Sequence, residues 1–297
     1  MLENIQQVKN IFEGIQNTWA ATFGQEAWHV ETFEPKPDYH NRIMTLENHA
    51  IFEKAGIACS TIKSENLPPA ATKRHPALAG KPFYVTGISL VFHPQNPYAP
   101  SVHANLRFFQ CESTWWFGGG MDLTPFYPNE KDCKHWHNTI KHTCDQLTPD
   151  CYDAFKKQCD DYFYLKHRKE MRGIGGIFFD DLNNFDFDIL LQWISNLGDT
   201  FVKAYKPILD QGHCQPITPE SKAFQQHRRT RYAEFNLLYD RGTLFGLQFG
   251  GRIESILMSM PPSTGWKYQI DQTLSKNEAY LSTFLQPKDW AHTAKVD

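Results

Sequence analysis

The stretch WWFGGGMDLTPFY (115–127) holds two tryptophans, three successive glycines at 118–120 and a carboxylate, Asp122. Three bare residues leave the backbone free to take positive φ and to approach a ligand closely. A bulge or tight turn accounts for one glycine easily and for three poorly. Upstream, TGISLVFH (86–93) and HANLRFF (103–109) both alternate, so Ser89 and His93 share one face of the first segment, and His103, Asn105 and Arg107 one face of the second. Paired as a hairpin with His93 near His103, the two segments put all five polar residues on the same side, with Ile88, Leu90, Phe92, Ala104, Leu106 and Phe108 on the reverse. Guanidinium, imidazole and carboxylate on one sheet face can bind carboxylates and exchange protons. Asp122 also has a competing reading as a helix N-cap before Leu123-Thr124-Pro125.

These segments lie in a β-rich region from Pro82 to Leu123. A second β-rich region is expected from Thr230 to Met260, where Tyr232, Glu234 and Asn236 alternate with Ala233, Phe235 and Leu237 and where DRG (240–242) reads as a turn. Leu2, Ile5, Val8, Phe12, Ile15, Trp19 and Phe23 predict one amphipathic helix over 1–23. Further helices are expected over 148–171, 185–209 and 276–290, and loops with short strands over 24–80. Long alternating strands flanked by runs of helix, without βα alternation, predict an α+β single domain with a large antiparallel β-sheet covered on both faces by α-helices.

Composition sets the outer limits. Lys+Arg 30 against Asp+Glu 33 gives a net charge of −3, with 21% charged residues, which argues against disorder and against a nucleic-acid partner. Apolar runs are far shorter than the ~20 residues of a transmembrane segment, and the N-terminus carries Glu3 without an apolar h-region. Seven cysteines form no CxxC pair, so neither a disulfide framework nor a zinc ribbon is favoured and a reduced, cytoplasmic protein is expected. Aromatic residues at 14% and 13 histidines fit a flat organic ligand or a polar cleft; a merely Phe-rich core is the plainer alternative. No P-loop follows the glycines, and RGIGGIFFDD (172–181) fails GxGxxG. The basic run KHRKEMR (166–172) reads as a solvated helix end, and Asp180 and Asp181 as caps of a following helix.

GISLVFHPQNPYAPSVHANLRFF, WWFGGGMDLTPFY, CDDYFYLKHRKEMRGIGGIFFDDLN and RYAEFNLLYDRGTLFGLQFGGRIESILMSMPP resemble, in order, the signature blocks of the oxygen-dependent coproporphyrinogen III oxidases. The resemblance implies one such domain over 1–297, a homodimer with a dimerisation segment at 232–266, and a tetrapyrrole substrate whose two propionates are oxidatively decarboxylated to vinyl groups. Dioxygen is then co-substrate, and no cofactor is required for the chemistry. Carried over by position, substrate contacts fall on Ser89, Asn105, Leu106, Arg107, Gly250, Gly251 and Arg252, and catalysis on Asp122, Arg107 and His103. Asp122 would draw a proton from a pyrrole N–H, with the anion stabilised by a dry site and cations such as Arg107. Arg252 has a plainer reading as an ion pair with Glu254.

The resemblance also implies a divalent metal cation on His93, His103, His137 and His167, with His103 a proton donor. Spacing gives these four no compact ligand motif, and His137 and His167 read equally well as ordinary hydrogen-bonded histidines. Two other classes are weighed: a non-enzymatic tetrapyrrole carrier, and a His-ligated iron oxygenase, for which no HxD or HxE occurs among these histidines.

Overall fold

A computed structural model describes residues 2–35, 39–65, 75–248 and 252–292. Helix α1 (Leu2–Phe23) opens the chain, and its apolar stripe at spacings of three and four faces inward. Strands β1 (His29–Phe33), β2 (Tyr39–Glu47), β3 (Phe52–Ser64), β4 (Phe83–Pro94), β5 (Ser101–Cys111) and β6 (Thr114–Thr124) follow as successive antiparallel neighbours. Then come α2 (Glu130–Cys144), α3 (Cys151–Tyr162) and a small hairpin of β7 (Tyr164–Leu165) with β8 (Glu170–Met171). Strand β9 (Gly175–Leu182) returns to pair with β6 and completes a seven-stranded antiparallel sheet. Helices α4 (Phe187–His213), α5 (Pro219–Leu238), α6 (Arg241–Gln248), α7 (Ile253–Ile256) and α8 (Gln272–Ser282) end the described chain, with a 3-10 turn at Leu257–Ser259 after α7.

One face of the sheet is largely apolar. Ile88, Leu90, Phe92, Leu106, Phe108 and Leu123 pack against Phe12 and Trp19 of α1 and Phe201 and Tyr205 of α4. The indole of Trp19 donates to the Gly198 carbonyl at 2.9 Å and ties the two helices together over this face. On the opposite face cover is partial. Helix α5 and the turn after α7 close one end, where Tyr232 meets His93 and Met258 lies on Gly56. Beyond them Gly87, Ser89, Asn105 and Arg107 remain half-buried. The α+β architecture with helices on both faces is as predicted, and its incomplete second cover leaves room for a site.

Three stretches differ from expectation. Residues 24–80 hold long strands rather than loops, because β3 mixes Lys, Glu and Ser with small Ala and Gly and so hides its alternation. The expected strands between Thr230 and Met260 are helical. In α5 nearly every side buries something, including Arg228, Arg229 and Asn236, so no apolar stripe marks its period, although Thr218 and Ser221 form an N-terminal capping box with Pro219 in the first turn. The helix expected over 148–171 stops at Tyr162 and gives way to the β7–β8 hairpin, and the described final helix spans Gln272–Ser282 rather than 276–290.

Candidate active site

Register builds the site. Opposed residues across an antiparallel sheet share a face, and on the partly covered face two adjacent rows consist mostly of small side chains. One row runs Ala58, Ser89, Asn105, Gly120, Phe178; the next runs Ser60, Gly87, Arg107, Gly118. At ~4.8 Å per strand the longer row spans roughly 19 Å. The result is a flat floor with few side chains standing on it. Beyond one edge lies the row Val91, His103, Asp122, Gly176, and beyond the other Val85, Phe109, Trp116, where the Phe109 and Trp116 rings stack at 4.1 Å and His75 stacks on Trp116 at 4.3 Å.

Val91, not His93, stands opposite His103, and His93 reaches Ser101 instead. Because this offset from the expected pairing is two residues, the faces are unchanged. Ser89, His93, His103, Asn105 and Arg107 do share one side. The three glycines lie inside β6 with no positive φ, contrary to the expected use of that freedom. What they provide is closeness: a Cβ on Gly118 would stand 2.8 Å from the Arg107 guanidinium, and one on Gly119 would run into the Asn105 carbonyl. Asp122 is likewise mid-strand and caps no helix; Asn129 caps α2.

At the floor's end, Asp122 is 1% exposed and bonded through both oxygens. Arg172 donates to both its oxygens at 2.9 and 2.7 Å and to Asn236 Oδ1 at 2.8 Å. His103 Nδ1 lies 2.8 Å from Asp122 Oδ1. Against a carboxylate that nitrogen carries the hydrogen, and Nε2 is the ring atom left to exchange a proton. Burial alone would push the Asp122 carboxyl up, but the Arg172 charge and the hydrogen bonds from His103 and Arg172 outweigh it and hold the group below the usual carboxylate range. Asp122 is therefore a fixed anion beneath half-buried His103.

Farther along, Arg107 donates to Asp180 at 2.8 Å and to Asn105 at 3.0 Å, and Arg241 reaches the other Asp180 oxygen at 3.3 Å. Two guanidiniums thus share this carboxylate beside the floor. Phe178 and Tyr162 stack at 4.4 Å under Arg241. Arg252 lies apart from this group: it pairs with Glu31 of β1 at 2.7 Å and with Glu254 at 3.4 Å. Gly250 and Gly251 fall outside the described residues. Leu106 points into the apolar core, so only its backbone can belong to a polar site.

The four histidines do not fit a shared metal. His93 is bonded through both nitrogens, to Ser101 Oγ and the Ser259 carbonyl, and His137 to the Tyr152 hydroxyl and the Ile174 carbonyl. His167 bridges Tyr239 and Glu234 on α5's side of the β7–β8 hairpin. Burial holds His93 well below its ordinary range and drops His137 to about 3, so both rings are neutral and already committed. Among the described residues no group of three or more His, Cys, Asp or Glu is placed to hold a metal ion.

Sequence reasoning missed Arg172, Asp180 and Arg241. Arg172 was expected on a solvated helix end and is instead buried among Phe163, Tyr232 and Phe235, with its Cζ 4.4, 4.2 and 4.8 Å from their rings. Asp180 was expected to cap a helix and instead sits in β9. Its position after an apolar run in RGIGGIFFDD, with alternation carrying Phe178 and Asp180 to one face, was the available signal.

The profile of the family described as coproporphyrinogen III oxidase matches residues 1–290. A protein of Coxiella burnetii named oxygen-dependent coproporphyrinogen-III oxidase is 47% identical over 298 residues, covering 96% of this chain and 96% of that protein. One of the same name from Francisella philomiragia is 44% identical over 306 residues, covering 98% of this chain and 99% of that protein.

Proposed function

The chain belongs to the coproporphyrinogen III oxidase family, and we propose that it acts as an oxygen-dependent coproporphyrinogen III oxidase of haem biosynthesis. Two propionates of coproporphyrinogen III become vinyl groups with dioxygen as electron acceptor, yielding protoporphyrinogen IX, carbon dioxide and hydrogen peroxide. The observation that carries this reading is the side-chain-poor floor with the His103–Asp122–Arg172 array at its end and two arginines beside it. A macrocycle of four pyrroles can lie against the floor, and guanidinium is the matched partner of its carboxylates.

Each decarboxylation balances as R–CH2–CH2–COO− + O2 + H+ giving R–CH=CH2 + CO2 + H2O2, so one proton is taken up per vinyl formed. His103 is placed to supply it. Its Nδ1 is fixed by Asp122, and its other nitrogen is left for proton exchange at the edge of the floor. The Arg172 pairing makes Asp122 a weak base, so its work is to keep its charge, orient His103 and accept a hydrogen bond from a pyrrole N–H rather than to carry the proton away. Arg107 and Arg241, sharing Asp180, hold propionates, with Ser89 and Asn105 completing the polar contacts. Gly250, Gly251 and Arg252 remain proposed contacts; for Arg252 this requires release of Glu31.

The reductant is the tetrapyrrole itself, and we propose that no resident metal or organic cofactor is needed. A homodimer is supported by exposed Leu237, Leu238, Ile253 and Trp266, all within 232–266. No helix among the described residues is long and apolar enough to cross a membrane, and we propose a cytoplasmic location. The test is turnover of coproporphyrinogen by exhaustively chelated protein, with and without air, read by product fluorescence. Full aerobic turnover and none without oxygen is expected. Substrate binding without turnover would make the protein a carrier, and activity restored only by added metal would refute the cofactor-free route.

A further inference from the structure

We propose that the hydroxyl of Tyr232 donates a hydrogen bond to an anionic oxygen of the reacting complex, a substrate propionate or dioxygen as it is reduced, which makes Tyr232 a catalytic residue. The inference deepens the oxidase reading and rests on it. Tyr232 lies on α5, 2% exposed, at the centre of the buried array. Its ring is accounted for: the Arg172 guanidinium lies 4.2 Å from its centroid, and the His93 ring meets it edge-on at 4.9 Å. Its hydroxyl is not. Among the described residues that buried oxygen has no hydrogen-bond partner.

A buried hydroxyl left unpaired weakens a fold, and phenylalanine would provide the same ring without that cost. The same guanidinium already rests on two phenylalanines, Phe163 and Phe235. The oxygen is thus the one part of this side chain that packing does not explain, and the ring that carries it packs on Arg172 of the array that the proposed reaction uses. The charged groups around it are Arg172, Asp122 and Asp240. Burial, only partly opposed by Arg172, raises the phenol above its ordinary range and keeps it a donor throughout the working pH range. A fixed O–H beside a guanidinium in a dry site is suited to an oxyanion that appears or binds there.

The test is Tyr232→Phe, compared with the wild type by thermal unfolding and by steady-state kinetics with coproporphyrinogen and oxygen varied separately. The expected result is an unfolding midpoint equal to or above wild type, together with a roughly tenfold to hundredfold fall in kcat/KM, the range for a hydrogen bond to a charged group. A rise in KM for coproporphyrinogen with kcat kept assigns the bond to a propionate. A fall in kcat or in the oxygen term assigns it to reduced dioxygen. Unchanged kinetics overturns the proposal, and so does a lowered midpoint, because the hydroxyl would then be holding the fold. A wild type without coproporphyrinogen turnover removes the oxidase reading instead, and the midpoint alone then decides whether the hydroxyl is structurally idle.

Discussion

Asp122 and Arg172 show how burial divides labour among side chains. Removing one partner of such a pair leaves an uncompensated buried charge, at a cost of about 3–5 kcal/mol, so this carboxylate is tied to its arginine before any chemistry starts. The buried histidines follow the opposite logic. His137 titrates at about 3 when folded and near 6.5 when unfolded, and His93 is shifted the same way. Below pH 6.5 the unfolded chain takes up protons that the folded chain refuses, so stability falls with falling pH, by about 1.4 kcal/mol per pH unit for each such histidine. Urea unfolding between pH 7 and 5, where Asp122 and Glu234 are ionised in both states, should show that slope. His137→Gln should reduce it by about one proton's worth, and an unaltered slope would mean that the folded ring is already charged or exposed. At this scale His103, Asn105 and Arg107 were legible from alternation, and Asp122 from its place just after the glycine run. Arg172 was not, because its burial comes from aromatic residues that are distant in sequence.

At the level of elements, β5 and β6 carry the middle of the floor, and the glycines between Phe117 and Met121 act differently from one another. A Cβ on Gly118 meets the flexible end of Arg107, whereas one on Gly119 meets the backbone of Asn105 and Leu106. Gly118→Ala should therefore fold normally and raise KM about tenfold by pushing Arg107 off Asp180, a loss of the size of one charge-assisted hydrogen bond. Gly119→Ala should give little folded protein by circular dichroism. Equal folding and equal kinetics for the two variants would contradict this account of the strand pair. Strand β5 was legible because buried and half-buried residues alternate along it, whereas β6 is buried on both faces and shows no such contrast. Helix α5 was hidden because Arg228, Arg229 and Asn236 are buried beside Phe224 and Phe235, which erases the contrast on which periodicity depends. The expected dimerisation segment falls largely in this helical stretch, so its alternation is no evidence for strand pairing between subunits.

Across the whole molecule, one sheet serves two solvents. Its apolar face is sealed by α1 and α4, and its other face is sealed only at the His93–Tyr232 end, so the half-buried band at Ser60, Gly87, Ser89 and Asn105 stays open beside buried charge. The class of fold could be read from the order of alternating and helical stretches. The incomplete second cover could not, since it depends on where α5 and the turn at Leu257–Ser259 come to rest. The central claim is that a tetrapyrrole lies on this band while oxygen oxidises it. Its most direct test is simultaneous recording of oxygen uptake and carbon dioxide release with coproporphyrinogen, for the wild type and for Ser89→Phe, which stands a ring on the floor. The wild type should consume one oxygen per carbon dioxide released, and the folded variant should lose at least about a hundredfold in rate, on the scale of the penalty for overfilling a packed site. A Ser89→Phe protein that keeps the wild-type rate, or carbon dioxide release without oxygen uptake, would contradict the account.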